Sequence, residues 1–334
     1  MLEPLNSNFR ITGGKTNTVQ RNNKLNACLF KFNNNIYSDG IIGDFKQSSR
    51  CGDCYLLSSL YSLSKTTKGA EILKNNIKKE QNGSFSVTLP GALIIKKDYE
   101  KEGKKCCITG KYTITRSEIK KARKSGKYST GDIDVLLYEL AFAKYRKEVL
   151  ETNKLNHQNS QYGTAGQYAG SATYSDPLRG GVGHDAMFIL TGKQSMDYEV
   201  SASSVDSVDE ASIKTIESRK KKLSRKGLEH LLDKKAKNPQ RYSITFGLKL
   251  KNGNKKETYH ALSISKIENN RVYFVNPWNT KKEFSISKEE FLKSAYQISI
   301  VDMENPGFMD NLVDNAYNAY GNVVNNLSNL FKKK

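Results

Sequence analysis

The twelve residues from Asp53 to Ser64 constrain this chain more than any other stretch. The run DCYLLSSLYSLS opens on a residue type suited to cap a helix. Leu56, Leu57, Leu60 and Leu63 then recur at i, i+1, i+4 and i+7, the stripe of a core-facing helix. Cys54 falls in the first turn. A thiol there meets the positive end of the helix dipole and backbone N–H groups that lack intrahelical partners, conditions that favour thiolate over thiol. The stretch therefore predicts a nucleophile carried on a rigid, buried helix.

A cysteine nucleophile needs a base, and the base needs something to orient it. Residues 258–286, TYHALSISKIENNRVYFVNPWNTKKEFSI, supply both residue types. His260 opens an alternating run (Ala261, Leu262, Ser263, Ile264) that reads as a half-buried strand. A turn at Glu268–Asn270 leads into a second strand, Val272 to Val275, which ends at Asn276-Pro277-Trp278. Such a hairpin brings His260 near Asn276, whose side-chain oxygen can accept the imidazole N–H and hold the ring towards a thiol. Trp278, the single tryptophan of the chain, is suited to shield that bond from water.

These segments resemble the calpain-type branch of the papain-like cysteine peptidases. The nucleophile segment of that family, G-D-C-W-L-L followed by small residues, corresponds to Gly52-Asp53-Cys54-Tyr55-Leu56-Leu57-Ser58-Ser59. Its H-A-[YF]-S-V segment corresponds to His260-Ala261-Leu262-Ser263-Ile264, and its N-P-W-G to Asn276-Pro277-Trp278-Asn279. In between, LLYELAFAKYRKE (136–148) is similar to the family's L-L-E-K-A-Y-A-K helix, GGVGHDAMFILTGK (180–193) to its G-G…L-T-G-G turn, and YSITFG (242–247) to the strand before the histidine. The likeness covers roughly residues 43–300. It implies an α+β, two-lobe papain-like fold with a helical lobe, an antiparallel β-sheet lobe and a cleft between them.

The resemblance also implies an activity: limited cuts in protein or peptide substrates through a Cys54–His260–Asn276 thiolate mechanism. His260 and Cys54 would stand as an imidazolium–thiolate pair. The oxyanion would be received by the Cys54 backbone N–H and a glutamine side chain. The family's glutamine lies six residues before the cysteine. Gln47 lies seven before, so the role carries over to it with a loop one residue longer. Calcium dependence is a property of many calpains; the residues here form no EF-hand loop and name no calcium ligand. The same Cys–His–Asn apparatus also serves acyl transferases and amidases, and a silent member of the fold could act as a basic binding module.

The implied organisation is an N-terminal arm (1–40, with Cys28-Leu29-Phe30 as a short strand), a helical lobe (41–194), an acidic, Ser-rich linker (195–212), a β-rich lobe (213–304) and an amphipathic tail (305–334). Within the helical lobe, 83–97 reads as a strand that breaks at Pro90-Gly91 and resumes. Residues 111–119 read as a strand running into an N-cap, and Val135–Val149 as an apolar helix. Residues 152–183 read as loops bordering the cleft. The Lys-rich 218–237 reads as a helix with Leu223, Leu228, Leu231 and Leu232 on one face.

Charge and cysteine usage narrow the partners. The 54 Lys and Arg against 34 Asp and Glu give a net charge of +20. Lysines are spread from Lys24 to Lys334 with no recognisable nucleic-acid motif, so the charge reads as a solvated surface rather than a phosphate track. The tail carries apolar residues at helical spacing and ends in three lysines, a pattern for docking on the body, on a partner or on an anionic membrane surface. No apolar run approaches the ~20 residues of a membrane span. The N-terminus shows no secretory signal, and the five cysteines form no disulfide framework, which suits a cytoplasmic protein or an effector exported without such a signal.

The remaining candidates read as structural. Cys51-x-x-Cys54 lacks the second pair a zinc site needs, but allows a reversible disulfide that would silence the nucleophile. His184 reads as a turn or capping residue, His157 and His230 as solvated, Cys106 and Cys107 as buried thiols, and Asp132 and Asp134 as helix-capping rather than metal-binding.

Overall fold

The computed structural model describes residues 37–156, 172–200, 221–252 and 255–304. The N-terminal arm up to residue 36, where the sequence predicts a strand at Cys28–Phe30, residues 157–171 of the expected loop segment with His157, residues 201–220 with the rest of the expected linker, and the tail from 305 lie outside the described residues. The first half of the chain runs β1 (Phe45–Lys46), α1 (Cys54–Ser64), α2 (Thr67–Asn76), β2 (Ile77–Lys79), β3 (Phe85–Thr88) and α3 (Pro90–Lys101). It continues with β4 (Lys111–Ile114), α4 (Arg116–Ser125), β5 (Thr130–Gly131), α5 (Ile133–Leu155) and α6 (Gly183–Thr191). The second half holds β6 (Ser195–Val200), β7 (Lys221–Leu223), α7 (Arg225–Lys237), β8 (Tyr242–Asn252) and β9 (Lys255–Glu268). It ends with β10 (Arg271–Val275), β11 (Glu283–Ser287), α8 (Lys288–Ser294) and β12 (Gln297–Asp302).

The architecture is mixed α+β. A seven-stranded sheet has the order β11-β10-β9-β8-β12-β6-β7, antiparallel throughout except for the parallel β6–β7 pair. A three-stranded sheet β2-β3-β4 and the short β1–β5 pair belong to the helical half. Among the described residues, no helix is long and apolar enough to cross a membrane.

Two apolar cores form. The first gathers α1, α3, α5 and α6 around residues such as Leu56, Leu60, Phe142, Tyr145 and Ile189. The second lies on the large sheet under α7 and α8, with Tyr198, Leu228, Phe246, Phe291 and Ile298 at its centre. α1 sits where the halves meet. Leu56, Leu57, Leu60 and Leu63 are all buried as their spacing predicts, while the serines between them dock the helix on the sheet. Ser58 Oγ donates to Ala261 O (2.8 Å), and Ser263 Oγ donates to Ser58 O (2.7 Å). Ser62 Oγ donates to Ile244 O (3.0 Å) and accepts from Ile244 N–H and Ser243 Oγ, both at 2.8 Å. Small polar side chains let the helix approach a sheet whose backbone groups still find partners.

Several sequence expectations meet a different outcome. The segment after Pro90 is helix α3, not a resumed strand. Proline fits the first helical turn, and Ala92, Ile95 and Tyr99 bury one face at spacings of three and four. Ser195–Val200, expected in a linker, pair with β12 as a sheet strand because Met196, Tyr198 and Val200 alternate towards the second core. Leu223 ends strand β7; Ser224 caps the helix that follows, its side chain accepting the Gly227 N–H. Residues 152–155 continue α5 rather than beginning a loop. Cys106 and Cys107 are half-buried and lie in a segment with no regular structure.

Candidate active site

The loop before α1 is tied to the turn after β10 by bonds between residues more than 200 positions apart. Gln47 N donates to Pro277 O (2.8 Å), Phe45 N to Thr280 Oγ1 (2.8 Å), and Thr280 N to Phe45 O (3.2 Å). These bonds set the Cys54 loop against the Asn276-Pro277-Trp278 turn. On the sheet side, β9 and β10 form the expected hairpin. Its turn is Asn269-Asn270, both with positive φ (48° and 56°), which asparagine tolerates better than most residues.

His260 and Asn276 meet across that hairpin, with His260 Nε2 2.9 Å from Asn276 Oδ1. The same oxygen accepts the Trp278 backbone N–H at 2.9 Å. A backbone donor requires an acceptor, so the carboxamide orientation is fixed. His260 must then carry its proton on Nε2, which leaves Nδ1 as the basic nitrogen. The Trp278 ring lies over the imidazole, 4.3 Å between centroids at 31°. It is 47 % exposed while His260 is 7 % exposed, so the tryptophan takes the solvent side of the pair.

Cys54 begins α1, and the backbone N–H groups of Ala261 (the residue next to His260), Tyr55 and Cys54 itself lie near its thiol. These donors favour thiolate, as the helix start predicts, but burial outweighs them. Burial, with the Asp53 carboxyl adding to it, pushes the Cys54 thiol up to about 11. Burial also lowers His260, partly offset by the bond to Asn276. Both shifts favour a neutral thiol and a neutral imidazole, whereas the resemblance implies an imidazolium–thiolate pair. The helix dipole is a local effect; desolvation is set by everything folded around it.

Asp53 occupies the N-cap position but makes no capping bond with its side chain. Its carboxyl turns inward and accepts Gln47 Nε2 at Oδ1 (2.9 Å). Gln47 Nε2 also donates to Cys51 O (3.0 Å), so both amide hydrogens of the expected oxyanion donor are committed. Presenting one to a substrate means releasing one of these partners. Tyr55, where the family has tryptophan, accepts Arg146 Nη1 at its hydroxyl (3.0 Å), and Arg146 Nη2 holds Gly180 O (3.0 Å). Gly180 N donates in turn to Gly52 O (3.0 Å), packing the 172–182 segment on the nucleophile loop. Gly181 faces the Tyr55 ring so closely that a Cβ would lie 2.6 Å from it.

Among the other candidates, Cys51 and Cys54 are free thiols, and Cys51 is buried with its thiol pushed up by burial and by Asp53. His184 is the second residue of α6, with Nε2 3.2 Å from Asp185 Oδ1, and His230 is exposed on α7. Asp132 caps α5, accepting the Asp134 and Val135 N–H groups; Asp134 accepts the Ser38 hydroxyl and the Gly40 N–H. Among the described residues no group of three or more His, Cys, Asp or Glu side chains could hold a metal ion.

Three contributors escape the sequence reading. Arg146 and Glu139 sit inside an apolar helix, where a lone charged residue facing the core is itself the signal. Ser62 is a small polar residue within a leucine stripe. No protein-family model matches the chain, and no curated protein matches it.

Proposed function

We propose that this chain is a calpain-like cysteine endopeptidase of papain-like, two-lobe architecture. One observation carries the reading: His260 Nε2 lies 2.9 Å from Asn276 Oδ1, and helix α1, which begins at Cys54, is docked on β9, the strand of His260, through Ser58 Oγ and Ala261 O. Two further features support it. Cys54 starts helix α1, whose leucines lie in the helix-rich core, while His260 stands on β9 and Asn276 directly follows β10, both strands of the large sheet. The basic nitrogen of His260 is the one left free by the Asn276 bond.

The chemistry follows from these positions. As a peptide carbonyl enters, His260 Nδ1 takes the Cys54 proton while the sulfur attacks the carbonyl carbon. The oxyanion is received by the Cys54 N–H and by the Gln47 amide once it yields a present partner, an arrangement commonly worth ~3 kcal/mol of barrier. His260 then protonates the leaving amine. Water, deprotonated by the same nitrogen, hydrolyses the thioester and restores the thiol. Because the resting pair is neutral, proton transfer accompanies attack instead of preceding it.

The test is mass-spectrometric mapping of cut sites in a denatured protein mixture and in the chain itself, with calcium and with a chelator. Wild type should generate new termini and react with an epoxysuccinyl probe, and Cys54→Ala should do neither. Transfer of the acyl group to added amines without hydrolysis would replace the peptidase reading with an acyl transferase. Identical peptide maps for both proteins would end it.

A further inference from the structure

Behind the nucleophile, two carboxyl groups meet in the core. Asp53 and Glu139 are each fully buried (0 % exposed), and their carboxyls are in hydrogen-bonding contact. Asp53 Oδ1 accepts the Gln47 amide, while Oδ2 meets no N–H or O–H donor. Glu139 accepts Ser129 N–H at both oxygens (2.9 and 3.1 Å), and the Ser129 hydroxyl lies against Oε2. Cys51, Tyr128 and Asp176 are further titratable groups around the pair, and none is cationic. Cys54 and Tyr55 flank Asp53 from α1, and Arg146 of α5 donates to Tyr55 Oη and Gly180 O.

Two carboxylates in contact, away from water, cannot both be ionised; one must keep its proton. That proton offers Asp53 Oδ2 an O–H donor, beside the Cys51 thiol that also meets the Asp53 carboxyl. The proton's place is on Glu139. Asp53 stands at the N-terminus of α1 and receives the Gln47 N–H, both of which favour its charge; Glu139 receives the Ser129 N–H and hydroxyl but lies well inside α5, where no helix end adds to them.

We propose that Asp53 and Glu139 share one proton, resident on Glu139, and that the protonated Glu139 is a positioning residue for the chemistry of Cys54. Glu139 fixes the Asp53 carboxylate. Asp53 fixes the Gln47 carboxamide, and with it the loop from Gln47 to Asp53 that sets the first turn of α1. One negative charge, instead of two, then lies beneath the sulfur. The kinetic part of the inference rests on Cys54 acting as a nucleophile; the shared proton does not.

The decisive comparison is Glu139→Gln against Glu139→Leu in the full chain. Gln keeps a neutral donor aimed at Asp53, so it should retain kcat to within about threefold, while Leu should lose about tenfold or more in kcat with KM little changed. The infrared difference spectrum of wild type minus Glu139→Gln at neutral pH should contain the C=O stretch of a protonated carboxyl. Its absence overturns the shared proton, and a Gln variant as impaired as the Leu variant overturns the positioning role. Should wild type cleave nothing, the peptidase reading fails alone, and the infrared band still decides the proton. Should the Leu variant fail to fold, the Gln kinetics and the band decide both.

Discussion

Asn276 Oδ1 accepts two hydrogen bonds, and that double duty is what orients the His260 imidazole. Removing it in Asn276→Ala should free the imidazole to rotate and lower kcat by about 10²-fold, read with a fluorogenic peptide. The raised thiol makes a second prediction at this scale. Below about 11 the thiolate fraction rises with pH, so iodoacetamide should alkylate Cys54 in the purified protein about tenfold faster per pH unit between 7 and 10. A rate independent of pH across that range would mean a preformed ion pair. Cys54, His260, Asn276 and Trp278 were legible in the sequence because each advertises its chemistry through immediate neighbours. The height of the thiol and the capture of Gln47 were not legible, because the first is set by burial and the second by the inward turn of the Asp53 carboxyl and by Cys51 O, all of which arise only on folding.

At the scale of elements, the docking of α1 depends on one hydroxyl. Ser62 Oγ satisfies Ile244 N–H, Ile244 O and Ser243 Oγ together. Ser62→Ala should leave buried partners unpaired and cost about 1–3 kcal/mol, measured as a lower denaturant midpoint with unchanged slope. α6 rests on the sheet through a glycine: a Cβ at Gly183 would meet Thr245 Oγ1 at 2.3 Å and Ser299 Cβ at 3.1 Å. Gly183→Ala should therefore destabilise by about 1–3 kcal/mol through overpacking, although alanine favours helix, as thermal unfolding would report. The leucine stripe of α1 and the β9–β10 hairpin could be read from periodicity and turn residues. The Pro90 segment could not, since a short apolar run suits strand or helix, and the neighbouring α6, against which Gly91 packs, decides between them.

For the molecule as a whole, the two cores are held in one arrangement by bonds running between the halves of the chain. Another constraint lies at the base of the sheet, where Arg241 Nε reaches both oxygens of the buried Asp302 (2.9 Å each) and Nη2 reaches Oδ2 at 2.6 Å. Arg241→Met should strip the carboxylate of this partner and destabilise by about 3 kcal/mol. The α+β class was legible from the order of elements. The extent of the large sheet was not, because residues 195–200 read as an acidic linker by composition while their alternation is that of a strand.

The position of β12 has a temporal consequence. It is the latest of the described strands in the chain, yet it lies inside the large sheet, hydrogen-bonded to β8 on one flank and to β6 on the other. On a ribosome, the strands bearing His260 and Asn276 would emerge before the member that joins them to β6. A nascent chain would thus carry Cys54 and His260 before residues 297–302 closed the gap between β8 and β6 and completed the large sheet.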